Sequence, residues 1–180
     1  MKRLFSPWRL DYVAGGERRE RGCVFCRADR SRDDRASLVV ARGRTHFVIL
    51  NKYPYNNGHL MIVPRRHLAS PSEAPAAARA EMMDLLVRAE AALNRAYRPA
   101  GINLGMNLGR AAGAGIEGHY HLHLVPRWEG DTNFMTVAHS TRVIPEALDT
   151  TWQRLSALFA SRTPRRRAAS RRTARSGSGR

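Results

Sequence analysis

The sequence predicts an α+β fold: a five-stranded, mainly antiparallel sheet with one long helix and a shorter C-terminal helix. Three observations predict it. Short β-rich runs follow one another between residues 38 and 64, and a single long helical stretch from Ser70 to Tyr97 interrupts them. Further strand-like runs come after it, ahead of a weaker helix around Pro145 to Ala160. Strands joined by hairpins with a helix inserted between them argue against a parallel, doubly wound sheet.

Leu38–Ala41 leads through Arg42-Gly43-Arg44 into Thr45–Asn51, which reads as a hairpin. Tyr53-Pro-Tyr-Asn-Asn-Gly58 is a turn cluster, and His59–Pro64 is a third, largely buried strand. Ser70 with Glu73 forms a candidate capping box and Pro71 suits the first helical position, although Pro75 delays the regular helix. Met82, Leu86, Ala89, Leu93 and Tyr97 share one face at helical spacing, the pattern of a core-packing helix, and Pro99 and Gly101 end it. Ile102–Leu108 is expected as a fourth strand, followed by a glycine-rich loop from Gly109 to Gly118 and a fifth strand from His119.

Residues 1–161 are expected to form one domain, with an N-terminal segment 1–35 included, and residues 162–180 a disordered basic tail. At 180 residues and 43% hydrophobic content the chain can bury a real core. Its apolar runs are far too short to span a bilayer, and Pro7, Arg9 and Asp11 break any signal-peptide core. Two cysteines make no disulfide scaffold, and the expected setting is soluble and cytoplasmic. The net charge is +16, but Arg162 to Arg180 carries eight arginines and no acid, so half of that charge lies in the tail. Only Lys2 and Lys52 are lysine, an arginine bias also expected from a GC-rich genome. A solvated tail and a nucleic-acid contact through it explain that segment equally well.

Three of the seven histidines are His119, His121 and His123. On a strand, residues two apart point to one face about 6.6–6.8 Å from each other, so the three imidazoles would line one surface while Tyr120, Leu122 and Leu124 pack on the other. Three imidazoles on one face are costly to bury without metal, phosphate or one another as partners. The segment His119-Tyr-His-Leu-His-Leu-Val125 resembles the motif of the histidine-triad superfamily of nucleotide hydrolases and transferases. Asn51, Gly58-His59 and Pro64-Arg-Arg-His67 fall where that family places its nucleotide-site and upstream histidine elements. Ser6-Pro-Trp-Arg9, Tyr53–His59 and Pro126–Phe134 are similar to the bacterial branch associated with diadenosine tetraphosphate phosphorylase activity.

The resemblance implies that His121 attacks phosphorus and carries a nucleotidyl group, with His123 and His59 orienting it and contacting phosphate oxygens. It implies Asn51 on the ribose, Asn107 near the α-phosphate, and the amides of the Gly113, Gly115 and Gly118 loop near phosphate. Alone, that loop is an ordinary strand connection. Many family members carry Gln and then Ser or Thr where this chain has Gly115 and Ile116. That departure implies the phosphorylase branch, with inorganic phosphate as acceptor and Arg127 and Arg110 as cations for it. Hydrolysis of a nucleoside phosphoramidate or dinucleoside polyphosphate is the alternative within enzymes, and a non-catalytic nucleotide-binding regulatory module the alternative outside them.

Cys23 and Cys26 form one Cys-x-x-Cys, which alone reads equally as two buried thiols or a redox pair. The resemblance implies a structural zinc completed by His67 and His119, pinning the arginine-rich N-terminal segment onto the sheet. It also implies a homodimer through the long helix and neighbouring strand. His46 and His139 match nothing in the family and read as ordinary surface or packing residues.

Overall fold

The structure is a computed structural model that describes residues 22–131 and 146–160. The Ser6–Arg9 motif, Thr132–Phe134, His139 and the basic tail lie outside the described residues. The elements in chain order are α1 (Val24–Arg30), β1 (Val39–Arg42), β2 (His46–Leu50), β3 (Leu60–Pro64), α2 (Ala76–Tyr97), β4 (Gly101–Gly105), β5 (Leu122–Arg127) and α3 (Leu148–Ala160). The strands form one antiparallel sheet in the order β1-β2-β3-β5-β4. This is the α+β architecture that the sequence predicts.

Why the strands are strands is plain from burial: β2 and β3 are buried at every position, covered on both faces. Val48, Leu50, Leu60, Ile62, Leu122 and Leu124 meet Met82, Leu85, Leu86, Ala89 and Leu93 of α2 and Leu155 and Phe159 of α3. Val39, Phe47, Ile49, Met61 and Val63 meet Phe25 and Ala28 of α1 on the other face. The turn before His59 comes close to α2: a Cβ on Gly58, whose φ is +74°, would lie 3.0 Å from Leu93 Cδ2 and from Tyr97 Cε2. Glycine there lets the chain pass close under the end of α2 on its way into β3.

Several expected boundaries move. The helix does not start at Ser70. Ser70 caps only a 3₁₀ turn over Pro71–Glu73, its Oγ accepting from Ser72 N, and the α-helix begins at Ala76 once Pro75 has removed its donor. The fourth strand stops at Gly105 rather than Leu108. The fifth begins at Leu122 rather than His119, because Tyr120 N–H donates to the Leu68 carbonyl at 2.8 Å instead of to a ladder partner. Helix α1, unforeseen in the sequence, spans seven residues with no side-chain cap at Cys23. It is held from outside: Arg42 donates to the carbonyls of Ala28, Asp29 and Ser31 and to the carboxylates of Asp29 and Asp34. His46 is a packing residue, fully buried, with Nε2 2.9 Å from Tyr120 Oη.

Candidate active site

His119, His121 and His123 stand on the sheet face covered by α1, while Tyr120, Leu122 and Leu124 point into the core under α2, as period two requires. Hydrogen bonds then fix which nitrogen of each ring carries a proton. His121 Nδ1 lies 3.0 Å from the His119 carbonyl, which can only accept, so Nδ1 is protonated and Nε2 keeps its lone pair. His59 Nδ1 accepts from Tyr55 N–H at 3.1 Å, with Asn51 Nδ2 at 3.4 Å, so its proton sits on Nε2. That Nε2–H donates to His123 Nδ1 at 2.9 Å, which places the His123 proton on its own Nε2. A backbone amide thereby orders two imidazoles in series and ends in an N–H donor next to His121; the His121 and His123 ring centroids are 4.7 Å apart.

Burial keeps these rings neutral. His59 is 1% exposed, and desolvation with the neighbouring His123 and His121 pushes it down to about 3; burial and His121 push His123 down to about 4. Desolvation also lowers His121, opposed by its bond to the His119 carbonyl. A neutral imidazole is the nucleophilic form. Phe25 of α1, which no sequence pattern singles out, walls this site: its ring centroid is 4.9 Å from that of His121 and 5.4 Å from that of His119.

Cys23, Cys26, His67 and His119 come together, their ligand atoms all within 4.8 Å of one another. Cys23 Sγ lies 3.3 Å and Cys26 Sγ 3.6 Å from His119 Nδ1, and Cys26 Sγ lies 3.4 Å from His67 Nδ1. A tetrahedral ion with metal–sulfur bonds of about 2.3 Å and metal–nitrogen bonds of about 2.0 Å has sulfur–nitrogen edges of about 3.5 Å, so the donor set fits. His119 is pre-set for it: Nε2–H donates to the Pro64 carbonyl at 2.7 Å and leaves the Nδ1 lone pair facing the sulfurs. Burial and the neighbouring Cys23 raise the Cys26 thiol, so two thiolates together require a cation.

Of the remaining expected residues, Asn107 lines an open cleft of about 270 Å³ beside His123, and Asn51 stands behind His59, its Oδ1 accepting from Tyr53 N–H. Gly113 and Gly115 border open space, whereas a Cβ on Gly118 would meet His67 Nε2 at 3.1 Å, so Gly118 lies against the cysteine–histidine cluster. Arg127 also lines the cleft, but Asp131 takes its Nε and Nη2 at 2.5 and 2.8 Å, so its charge is already met. Arg110 is exposed, 3.9 Å from Glu117. Tyr55, which the sequence marked only within the Tyr53–His59 segment and without a role, and Asn103, which it did not mark, line the same cleft; the Tyr55 ring centroid is 4.7 Å from that of His59.

Residues 33–130 match the HIT domain family. The chain belongs to that family. It is 38% identical over 170 residues to the AP-4-A phosphorylase of Mycobacterium tuberculosis, covering 91% of this chain and 87% of the relative. Among solved structures, this HIT protein is similar to a hypothetical histidine triad nucleotide-binding protein from Sulfolobus tokodaii. The TM-score is 0.61 at 26% identity, over 76% of this chain and 91% of the other. A zinc-bound histidine triad family protein from Mycobacterium smegmatis matches with TM-score 0.61 at 26% identity, over 77% and 94% of the two chains.

Proposed function

We propose that this HIT protein transfers an adenylyl group from diadenosine tetraphosphate, or a related nucleotide, through a nucleotidyl-His121 intermediate, with inorganic phosphate as the favoured acceptor. The observation that carries the reading is the bond from His121 Nδ1–H to the His119 carbonyl, which leaves Nε2 free to attack. In the first step Nε2 bonds to the α-phosphorus and the bond to the bridging oxygen breaks, releasing ATP. In the second a phosphate oxygen bonds to the same phosphorus and the phosphorus–nitrogen bond breaks, releasing ADP and restoring the neutral ring. His123 Nε2–H, ordered by His59 and Tyr55, donates to the charge that builds on the phosphoryl oxygens. Asn107 and the amides at Gly113, Gly115 and Gly118 add donors, and Asn51 holds the ribose. The open space at Gly113 and Gly115 gives an acceptor larger than water room to approach. Similarity to the M. tuberculosis AP-4-A phosphorylase over most of both chains supports the substrate class.

Cys23, Cys26, His67 and His119 hold a structural zinc in this reading, which closes the cluster and pins α1, and with it Phe25, against the triad. The M. smegmatis relative solved with zinc supports the choice of metal. Reduced thiols at that site suit the cytoplasm. A homodimer completes the reading, supported by exposed Met83 and Val87 on α2 and by exposed Leu104 on β4, the last strand of the sheet.

The test is product analysis on diadenosine tetraphosphate with and without inorganic phosphate. ADP and ATP in equal amounts, at a rate that rises with phosphate, are expected. AMP and ATP at a phosphate-independent rate would make this a hydrolase. His121→Ala abolishes turnover while nucleotide binding survives, and an adenylyl group trapped on His121 in the wild type is the direct evidence.

A further inference from the structure

Beyond His121, the triad face carries a groove along β4 and β5 of which the steps above use only His123 and Asn107. Antiparallel register sets Gly105 beside His123, Asn103 beside Val125 and Gly101 beside Arg127. Alternate residues of a strand share a face, so these six line one surface. Two of them are glycines that leave it open: a Cβ on Gly101 or Gly105 would meet nothing within 4 Å. The surface runs four residues along β5, about 13 Å, from His123 to Arg127. That is longer than a single phosphate or sulfate and of a size for a polyphosphate with a nucleoside at its end.

At the far end the Arg127 guanidinium is held by its edge. Nε and Nη2 donate to Asp131, and Nη1 donates to Asn103 Oδ1 at 2.8 Å. Asp131 also accepts from Asn56 Nδ2 at 2.8 Å and from Trp128 N–H at 3.3 Å, and its side chain is only 10% exposed. Arg127 remains 44% exposed. The positive charge is cancelled by a contact carboxylate, so a phosphate here would have to compete with Asp131 and be repelled by it. What Arg127 still offers is the flat face of its guanidinium, a surface on which aromatic rings stack. Asn103, its oxygen occupied, offers its amide nitrogen as a donor. A flat face next to a hydrogen-bond donor suits a heteroaromatic base.

We propose that Arg127 and Asn103 form a specificity subsite for the second nucleobase of a dinucleoside polyphosphate, with Asp131 setting the guanidinium edge-on and cancelling its charge. This rests on the reading of His121 as the group that takes the first adenylyl moiety. The test compares two ligands with the same four phosphates, diadenosine tetraphosphate and adenosine 5′-tetraphosphate, which lacks the second nucleoside. Their affinities are measured by calorimetry on the full chain carrying His121→Ala, so that neither is consumed. Diadenosine tetraphosphate binds about ten-fold tighter in the expected result, the scale of one neutral hydrogen bond with stacking. Added Asn103→Ala or Arg127→Gln brings the ratio close to one while leaving adenosine 5′-tetraphosphate unchanged. Asn103 is exposed on β4, so its variant reports even where Arg127→Gln loosens the turn at Asp131. Equal affinities in the parent, or an equal loss for both ligands in Asn103→Ala, would overturn the proposal; the latter would mean that the residue serves phosphate or the fold. Failure of the underlying reading shows separately, as wild-type chain that binds nucleotide yet never yields adenylyl-His121, and the affinity ratio then still decides the subsite.

Discussion

Desolvation keeps buried His59 and half-buried His123 neutral, and in that state His59 takes a proton from the Tyr55 amide and gives its own to His123. That arrangement has a consequence for stability. Both rings would protonate near 6.5 in the unfolded chain, whereas in the folded chain His59 is held down to about 3 and His123 to about 4. Above 6.5 neither state binds protons at these groups and stability is full. Below it the unfolded chain takes up protons that the folded chain refuses, so stability is lost as pH falls through the window from 6.5 toward 4 and then 3. Urea midpoints measured at about pH 7.5 and about pH 5 should therefore fall at the lower value, and the drop should be smaller in His59→Gln, which has one such group fewer. Because loss of thiolate–metal bonds also weakens the fold in acid, the difference between the two chains is the diagnostic quantity. An identical drop in both would mean that His59 is not held neutral. The triad itself was legible because period two needs only the sequence. The tautomers were not, since they depend on the Tyr55 amide and the His119 carbonyl, backbone groups whose placement no side-chain pattern encodes.

Secondary structure elements divide the same way. β2 and β3 were readable because both of their faces are buried and every residue but His46 is apolar. The start of β5 was not, because the Tyr120 N–H donates to the Leu68 carbonyl and the His119 carbonyl accepts from the His121 ring instead of serving a ladder. Helix α1 escaped notice for a related reason. Seven residues cannot sustain a helix alone, and the groups that hold it, Arg42 at its carboxyl end and the cysteine–histidine cluster at its start, come from elsewhere in the chain. Metal loss should therefore be felt first at α1. Metal analysis of untagged protein is expected to give about one zinc per chain, from one four-ligand site. Cys23→Ala should lose the metal and lower the melting temperature. Gly118→Ala is a subtler probe: its methyl would press on His67 Nε2 at 3.1 Å, so it should weaken zinc retention against a chelator while leaving the cysteines intact. Metal-free wild type of unchanged stability would leave the four residues as packing groups.

On the scale of the whole molecule, two features bear on partners. The first is the basic tail, which holds half of the net charge and no large apolar residue. The candidate site is built from residues between Cys23 and Arg127, so deletion of residues 162–180 should leave turnover unchanged while weakening salt-sensitive retention on a polyanion column. A dead truncation would give the tail a part in the chemistry. The second is the surface that α2 and β4 leave uncovered. Met83 and Val87, one helical turn apart, are 51% and 62% exposed, Leu104 is 53% exposed, and β4 ends the sheet with its outer backbone edge unpaired among the described strands. Sheet edges and exposed apolar side chains are the features that chains cover by self-association. A two-fold pairing would bury the same residues on both copies. Light scattering should accordingly give about twice the chain mass of 20.2 kDa. Val87→Glu, which places a charge in that patch without touching the core, should shift the mass toward the single chain. A wild-type mass of one chain across micromolar concentrations would rule out the dimer and leave the α2 surface simply solvated.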